Sequence, residues 1–247
     1  YDGYTSPEPV QGTVSGKWEE QLVIGYEYTC NRHTLTLHDA SAEDYINVRD
    51  VTETVKYGSM IREQRRWGYT FGGWFKDASY TEPFTGTMPD EDLTLYAKWT
   101  PEDRTYFIIY EKQNLQGIYE TADIVEGTAE IGSYITPADM GYEGFTAPEI
   151  QTEQIVANRA NRFVIQYKRN RHTVTFKLKN GQSDVVRKGY YGSEVTAPVP
   201  SRTGYTFLGW GEKVADTMPD EDLTYTAQWQ VNSYKVSFMV DGEDLGD

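Results

Sequence analysis

Gly68-Tyr-Thr-Phe-Gly-Gly-Trp74 returns as Gly204-Tyr-Thr-Phe-Leu-Gly-Trp210. Repeats outrank every other sequence signal, so the chain is aligned outward from this block. Upstream, Asn31-Arg-His-Thr-Leu-Thr-Leu37 returns as Asn170-Arg-His-Thr-Val-Thr-Phe176, and Tyr57-Gly-Ser59 as Tyr191-Gly-Ser193. Downstream, Thr87-Met-Pro-Asp-Glu-Asp-Leu-Thr94 returns as Thr217-Met-Pro-Asp-Glu-Asp-Leu-Thr224, and Ala97-Lys-Trp99 as Ala227-Gln-Trp229. Order is kept and only the spacing changes, so the copies differ in their loops. The second copy lacks most of Asp77-Ala-Ser-Tyr-Thr-Glu-Pro-Phe84, which reads as a surface loop.

Between the copies lies a different but related segment. It carries Ile131-Gly-Ser133 and then Gly141-Tyr-Glu-Gly-Phe145, a weaker echo of the same turn and aromatic strand. It ends in Arg162-Phe-Val-Ile-Gln-Tyr-Lys168, and Gln21-Leu-Val-Ile-Gly-Tyr-Glu-Tyr28 precedes the first copy in the same way. The expected organisation is therefore residues 1–30 as the tail of a B-type unit, and 31–100 as an A-type repeat. A B-type repeat follows at 101–169, an A-type repeat at 170–230, and the start of a further unit at 231–247. Neither end reads as a natural terminus, so the chain is expected to be an excerpt of a longer protein. Units this small bury only ~60% of their unfolded surface and are marginal alone. Neighbours packed through short links relieve this.

Period-two alternation dominates. Val174, Phe176 and Leu178 alternate with Thr173, Thr175 and Lys177, and Phe163, Ile165 and Tyr167 with Arg162, Val164 and Gln166. This is the pattern of half-buried antiparallel strands. Asn180-Gly181 marks a hairpin between strands at 173–178 and 184–190. Leu93, Leu95 and Ala97, like Leu223, Tyr225 and Ala227, lead into a Trp and read as closing strands. One short helix per unit is expected at 59–67, 133–140 and 193–203, the third limited to a turn by Pro198 and Pro200. The fold class read from this is mainly β with short helices (α+β).

Of the 247 residues, 38% are hydrophobic and 14% aromatic, too aromatic for a disordered chain. Twenty are Tyr, which can cover a thin core while the hydroxyl stays wet. The net charge of −15 argues against binding nucleic acid or an anionic membrane surface. One cysteine, Cys30, excludes an intrachain disulfide. No apolar run approaches a membrane span.

Strand, Tyr-Gly-Ser, Gly-Tyr-Thr-Phe-x-Gly-Trp, then Met-Pro-x-x-Asp-Leu-Thr-x-x-Ala-x-Trp resembles the Listeria–Bacteroides repeat, the internalin B-type B-repeat, over about 31–99 and 170–229. The middle segment more weakly resembles the mucin-binding-protein-like repeats of Gram-positive surface proteins. The resemblance implies small β-grasp-like domains in tandem, an elongated array, and extracellular, cell-wall-anchored display. It brings no catalytic residues.

The residues themselves assemble no catalytic, cofactor or metal site. Pro89-Asp-Glu-Asp92 and Pro219-Asp-Glu-Asp222 could offer oxygens to Ca²⁺, but lack the alternating ligands and mid-loop Gly of an EF-hand loop. They read as acidic turns in which Asp bonds its own backbone. His33, His38 and His172 have no zinc spacing and are expected at solvated strand edges. Cys30 aligns with Arg169, so it is expected to be exposed and inert. Ser59, Ser133 and Ser193 follow Gly in equivalent tight turns and read as backbone caps. Trp74, Trp99, Trp210 and Trp229 recur in register and read as core anchors rather than a sugar platform. Trp18 and Trp67 do not recur, and Arg62, Arg65 and Arg66 cluster beside Trp67. That cluster is either an anion or partner contact on an acidic chain or a solvated face.

The expectation is a non-catalytic repeat stalk of a bacterial surface adhesin, in contact mainly with neighbouring repeats. The second reading is an adhesive module for a host glycan or glycoprotein. It would bind through the B-type unit, chiefly Tyr106 to Tyr119 and the 77–84 loop.

Overall fold

The structure is a computed structural model describing residues 1–9, 11–13, 15–16, 24–42, 45–236, 239–241 and 243–244. Trp18, residues 21–23 of the stretch that precedes the first copy, and residues 237–238, 242 and 245–247 of the further unit expected at 231–247 lie outside these. The chain forms two compact bodies. One holds Tyr1–Tyr106, Gly127–Ile135 and Gln154–Asn161; the other holds Phe107–Glu126, Thr136–Glu153 and Arg162–Asp247.

All regular structure among the described residues is β. A two-residue ladder, β1 (Tyr4–Thr5) with β2 (Thr29–Cys30), leads in. The first copy then folds as β3 (Arg32–Ser41), β4 (Val48–Lys56), β5 (Tyr69–Phe75), β6 (Pro83–Phe84) and β7 (Leu93–Pro101). The middle segment contributes β8 (Asp103–Gln113), β9 (Tyr119–Glu130), β10 (Tyr134–Ile135), β11 (Phe145–Thr146), β12 (Glu153–Gln154) and β13 (Asn161–Arg169). The second copy has β14 (Arg171–Lys177), β15 (Val185–Tyr190), β16 (Tyr205–Gly209), β17 (Leu223–Thr226) and β18 (Gln228–Val231). A last ladder joins β19 (Met239–Val240) to β20 (Glu243–Asp244).

The first copy is one five-stranded sheet in the order β4-β3-β7-β5-β6. Its closing strand does not lie at an edge. It sits in the centre, parallel to β3 (Leu35 opposite Leu93, Leu37 opposite Leu95) and antiparallel to β5. The most apolar strands take the centre, where both neighbours shield them. The second copy repeats this order, with the closing strand divided into β17, parallel to β14, and β18, antiparallel to β16. At the division the Ala227 amide still donates to Lys177 O (2.9 Å). The middle segment has a four-stranded sheet in the order β11-β13-β8-β9. Phe163, Ile165 and Tyr167 of β13 are buried while the residues between them are exposed, as the alternation required.

The cores of the two copies match position for position. Leu35, Leu37, Trp74, Met88, Leu95 and Ala97 correspond to Val174, Phe176, Trp210, Met218, Tyr225 and Ala227. Trp74 and Trp210 are buried, and the half-buried Trp99 and Trp229 pack against the same two clusters, so the four recurring tryptophans are core anchors. The methionine of each Thr-Met-Pro block is among the deepest side chains, at 0% and 2% exposure. The Asn180-Gly181 hairpin is present, with Phe176 opposite Val185.

Two expectations are corrected, and the exposed 77–84 loop gains a structural role. No helix occurs at 59–67, 133–140 or 193–203. These segments run extended because their backbone groups are taken elsewhere. Ser59 O accepts the Met88 amide, and Met60 and Glu194 bridge to Thr87 and Thr217. The Trp74 indole donates to Arg62 O (3.0 Å), a carbonyl a helix would have used itself. The 77–84 segment is more than a surface loop. Asp77 caps the Ser79, Thr81 and Glu82 amides, which aims Phe84 onto the core as strand β6. Cys30 is half-buried, with Sγ near Asn31 O (3.6 Å) and Tyr57 O (3.7 Å).

Candidate functional site: a joint built four times

The feature built most repetitively is the link between successive segments. Each joint begins with a glycine at positive φ: Gly3 (75°), Gly68 (73°), Gly144 (78°) and Gly204 (75°). An aromatic residue and then Thr follow each of them. The glycine carbonyl accepts the amide of a linker residue: Asn31 (2.8 Å), Glu102 (2.9 Å), Asn170 (2.9 Å) or Asn232 (2.9 Å). The threonine hydroxyl donates to that residue's side-chain oxygen, at 2.6 Å from Thr5, Thr146 and Thr206 and 3.3 Å from Thr70. At the first three joints the linker carbonyl accepts the amide of the residue opening the Gly-Ser turn of the next segment. These residues are Tyr57 (2.9 Å), Ile131 (3.1 Å) and Tyr191 (2.9 Å). Each of the three first joints lies within one of the two bodies.

Glycine is required twice over at these positions. Its φ is in the left-handed region, and a Cβ on Gly3, Gly68 or Gly144 would collide with Tyr57, Ile131 or Tyr191. The ring or aliphatic side chain occupies the space that a Cβ would fill, so the next segment packs directly on the glycine.

The acidic turns of the two copies close these joints. Asp90 accepts the Gly3 amide (3.1 Å), the Asn31 side-chain amide (2.8 Å) and His33 Nε2 (2.8 Å). Asp220 repeats this with Gly144 (3.0 Å), Asn170 (2.8 Å) and His172 (2.9 Å). Asp92 and Asp222 cap the Thr34 and Thr173 amides, each at 2.7 Å. The aspartates therefore bond across the fold rather than to their own turn, and His33 and His172 are paired rather than merely solvated. The Asp90 and Asp220 carboxyls are held below the usual carboxylate value, chiefly by the Asn31 and Asn170 amides, with the histidines and glycine N–H groups adding to this. The Cys30 position has the same duty in both copies. Its equivalent Arg169 donates from Nη1 to Tyr191 O (2.9 Å), the carbonyl matching the one near Cys30 Sγ.

The remaining candidates are structural or isolated. His38 pairs with Asp50 (2.9 Å) and stacks on Tyr96. The middle segment buries Tyr110 and Tyr167. Burial, then the hydrogen bond to Asp139, pushes the Tyr167 phenol up to about 12. Among the described residues no group of three or more His, Cys, Asp or Glu could hold a metal ion. No helix among them is long and apolar enough to cross a membrane. Trp67 is exposed, and Arg65 and Arg66 lie beside it in a cleft with Tyr45 and Arg104; Arg62 does not line it.

Residues 38–98 and 172–229 match the family model of the Listeria-Bacteroides repeat domain. The chain is 30% identical over 214 residues to a putative membrane protein of Evansella cellulosilytica, covering 76% of this chain and 31% of that protein. A putative Gly-rich membrane protein of the same organism is 29% identical over 223 residues, covering 78% of this chain and 25% of that one. Internalin H of Listeria monocytogenes is 38% identical over 82 residues, covering 29% of this chain and 15% of its own length. The chain thus spans less than a third of each of these relatives.

Proposed function

We propose that this chain is a non-catalytic spacer segment of a bacterial cell-surface adhesin, a stack of small repeats that carries a binding domain outward. The boundaries are those read from the repeats: units at 31–100, 101–169 and 170–230, with parts of neighbours at 1–30 and 231–247. The partners of each unit are its neighbours in the same chain. The observation that carries this reading is the joint. A backbone geometry reproduced at Gly3, Gly68, Gly144 and Gly204 is what a spacer needs and an isolated domain does not. The family match of both copies and the membrane-protein and internalin relatives support a place at the cell surface. The sheet order, with a parallel central pair between two antiparallel arms, supports a β-grasp-like unit in which an extended segment replaces the helix. Small-angle scattering tests the proposal. A compact chain of this length has a radius of gyration of about 18 Å. The spacer reading expects a clearly larger value, and one near that figure refutes it.

A further inference from the structure

The joint at Gly68 differs from its two neighbours at the acidic latch. Ile155, Met88 and Met218 are equivalent, because each bonds reciprocally with the Gly-Ser turn of its own segment. Two residues on, where the copies have Asp90 and Asp220, the middle segment has Ala157. Glu102, Asn31 and Asn170 are likewise equivalent. Two residues on, where the copies have His33 and His172, the middle segment has Arg104. The nitrogen donor of the latch is therefore kept, as a permanently charged guanidinium, while the aspartate is gone.

The structure shows the consequence. Arg104 Nε is buried without a hydrogen-bond partner. Its Nη2 forms a long ion pair with Glu102 Oε2 (3.8 Å), beyond hydrogen-bond distance, and Glu102 also accepts from Thr70. A buried guanidinium nitrogen left unsatisfied is costly and calls for an acceptor. A cleft of about 480 Å³ opens at this place, lined by Tyr45, Arg65, Arg66, Trp67, Gly68, Glu102 and Arg104. Three arginines face one carboxylate there, on a chain of net charge −15. The volume lies in the range of small-molecule sites.

The second copy separates framework from surplus. Arg66 stacks on Tyr69 at 3.7 Å, and Arg202 stacks on Tyr205 at 3.7 Å, so Arg66 belongs to the fold. Ser201 and Thr203 stand where the first copy has Arg65 and Trp67. Those two residues are not needed to build the repeat. Trp67 is 60% exposed and Tyr45 50% exposed. Their rings offer flat apolar faces beside the guanidinium groups.

We propose that this cleft binds a carboxylated saccharide, with the sugar carboxylate taking the place of the missing aspartate near Arg104 and Arg65 and the ring stacking on Trp67. The class follows from the pairing of the two features. An acidic side chain of a peptide would satisfy the arginines but leave the indole uncovered, and a neutral sugar would do the reverse. The site lies in the first copy and its joint, apart from the 106–119 stretch and the 77–84 loop. It does not depend on the spacer reading.

The test uses the full chain, with 3′-sialyllactose and a glucuronic-acid disaccharide as probes, lactose as the neutral control and tetraglutamate as the peptide control. Binding is read by titration calorimetry and saturation-transfer NMR. The expected result is binding of at least one acidic sugar at sub-millimolar to millimolar Kd, ~10-fold or more tighter than lactose or tetraglutamate. Trp67→Ala and Arg65→Gln should each weaken it by ~10-fold without changing the melting temperature. Ala157→Asp should restore the carboxylate of the other joints, satisfy Arg104 internally and abolish binding in a folded protein. No binding of either acidic sugar at ~10 mM overturns the proposal, as does equal binding of lactose. Tighter binding of tetraglutamate overturns it in favour of an acidic peptide. Unchanged affinity in Ala157→Asp also refutes it.

Discussion

Replacing Gly144 with Ala adds one methyl group at a joint. Two separable costs follow. Gly144 has φ of 78°, where a Cβ costs about 1–2 kcal/mol. The same Cβ would lie well under 3.0 Å from Cγ, Cδ1 and Cε1 of Tyr191. Relieving that overlap displaces a ring, with a cost of about 1–3 kcal/mol for overpacking. Together they amount to about 3 kcal/mol, or ~100-fold in a local opening equilibrium. Hydrogen exchange resolved by peptide reads such local openings. The amides of Gly144, Asn170 and Tyr191 should lose ~100-fold in protection. Those of the equivalent joint at Gly3, Asn31 and Tyr57 should be unchanged. Gly25→Ala, with open space around the Cα, is the control and should shift stability by no more than ~0.5 kcal/mol. Tyr191→Ala as a second substitution should remove the steric part and leave the φ part, so the two changes should be strongly non-additive. If Gly144→Ala leaves protection at this joint within twofold of the parent, the close approach of ring to backbone is not what holds the segments together.

Two further outcomes follow from the same geometry. Asp220 has a folded pKa below the usual 3.8, so its contribution is complete above that value and lost as pH falls through the lower folded one. Asp220→Asn should therefore lower the melting temperature at about pH 6, with a loss of roughly 1 kcal/mol after allowance for solvent exposure, and the gap between the two proteins should narrow as pH falls below the usual carboxylate value. A gap that persists unchanged in acid would mean that the charge is irrelevant. Trp210→Ala should cost about 3–5 kcal/mol, as removal of a buried aromatic does, and Trp67→Ala should stay within ~0.5 kcal/mol, because its ring is exposed. Denaturant titration measures both, and equal losses would contradict the division into core anchors and surface residue.

The helices expected at 59–67, 133–140 and 193–203 show where local reasoning stops. Nothing within those stretches forbids a turn of helix. What prevents it is pairing from elsewhere in the fold: the Thr-Met-Pro blocks at 59–67 and 193–203, the Trp74 indole at Arg62, and Ile155 with strand β12 at 133–140. Pairing of the closing strand is a similar case. Alternation at Leu93, Leu95 and Ala97 announces a strand, but parallel and antiparallel neighbours leave the same alternating trace. Met88 and Met218 were visible as repeated residues, yet a lone Met before Pro carries no period from which burial can be read.

From the residues alone came the repeat order, the strand faces, the Asn180-Gly181 hairpin and the recurring tryptophans as anchors. These depend on spacing and alternation over a few residues, which are local quantities. Tertiary structure alone decided the joint. Asp90 meets a glycine 87 positions away and Asp220 one 76 positions away, and in both cases an acidic turn looks the same whether it caps itself or a neighbour. It also decided what Arg104 and Ala157 mean. Each is unremarked in the linear text, and only the equivalent hydrogen bonds of the three joints show an arginine standing where the aspartate of the latch is missing.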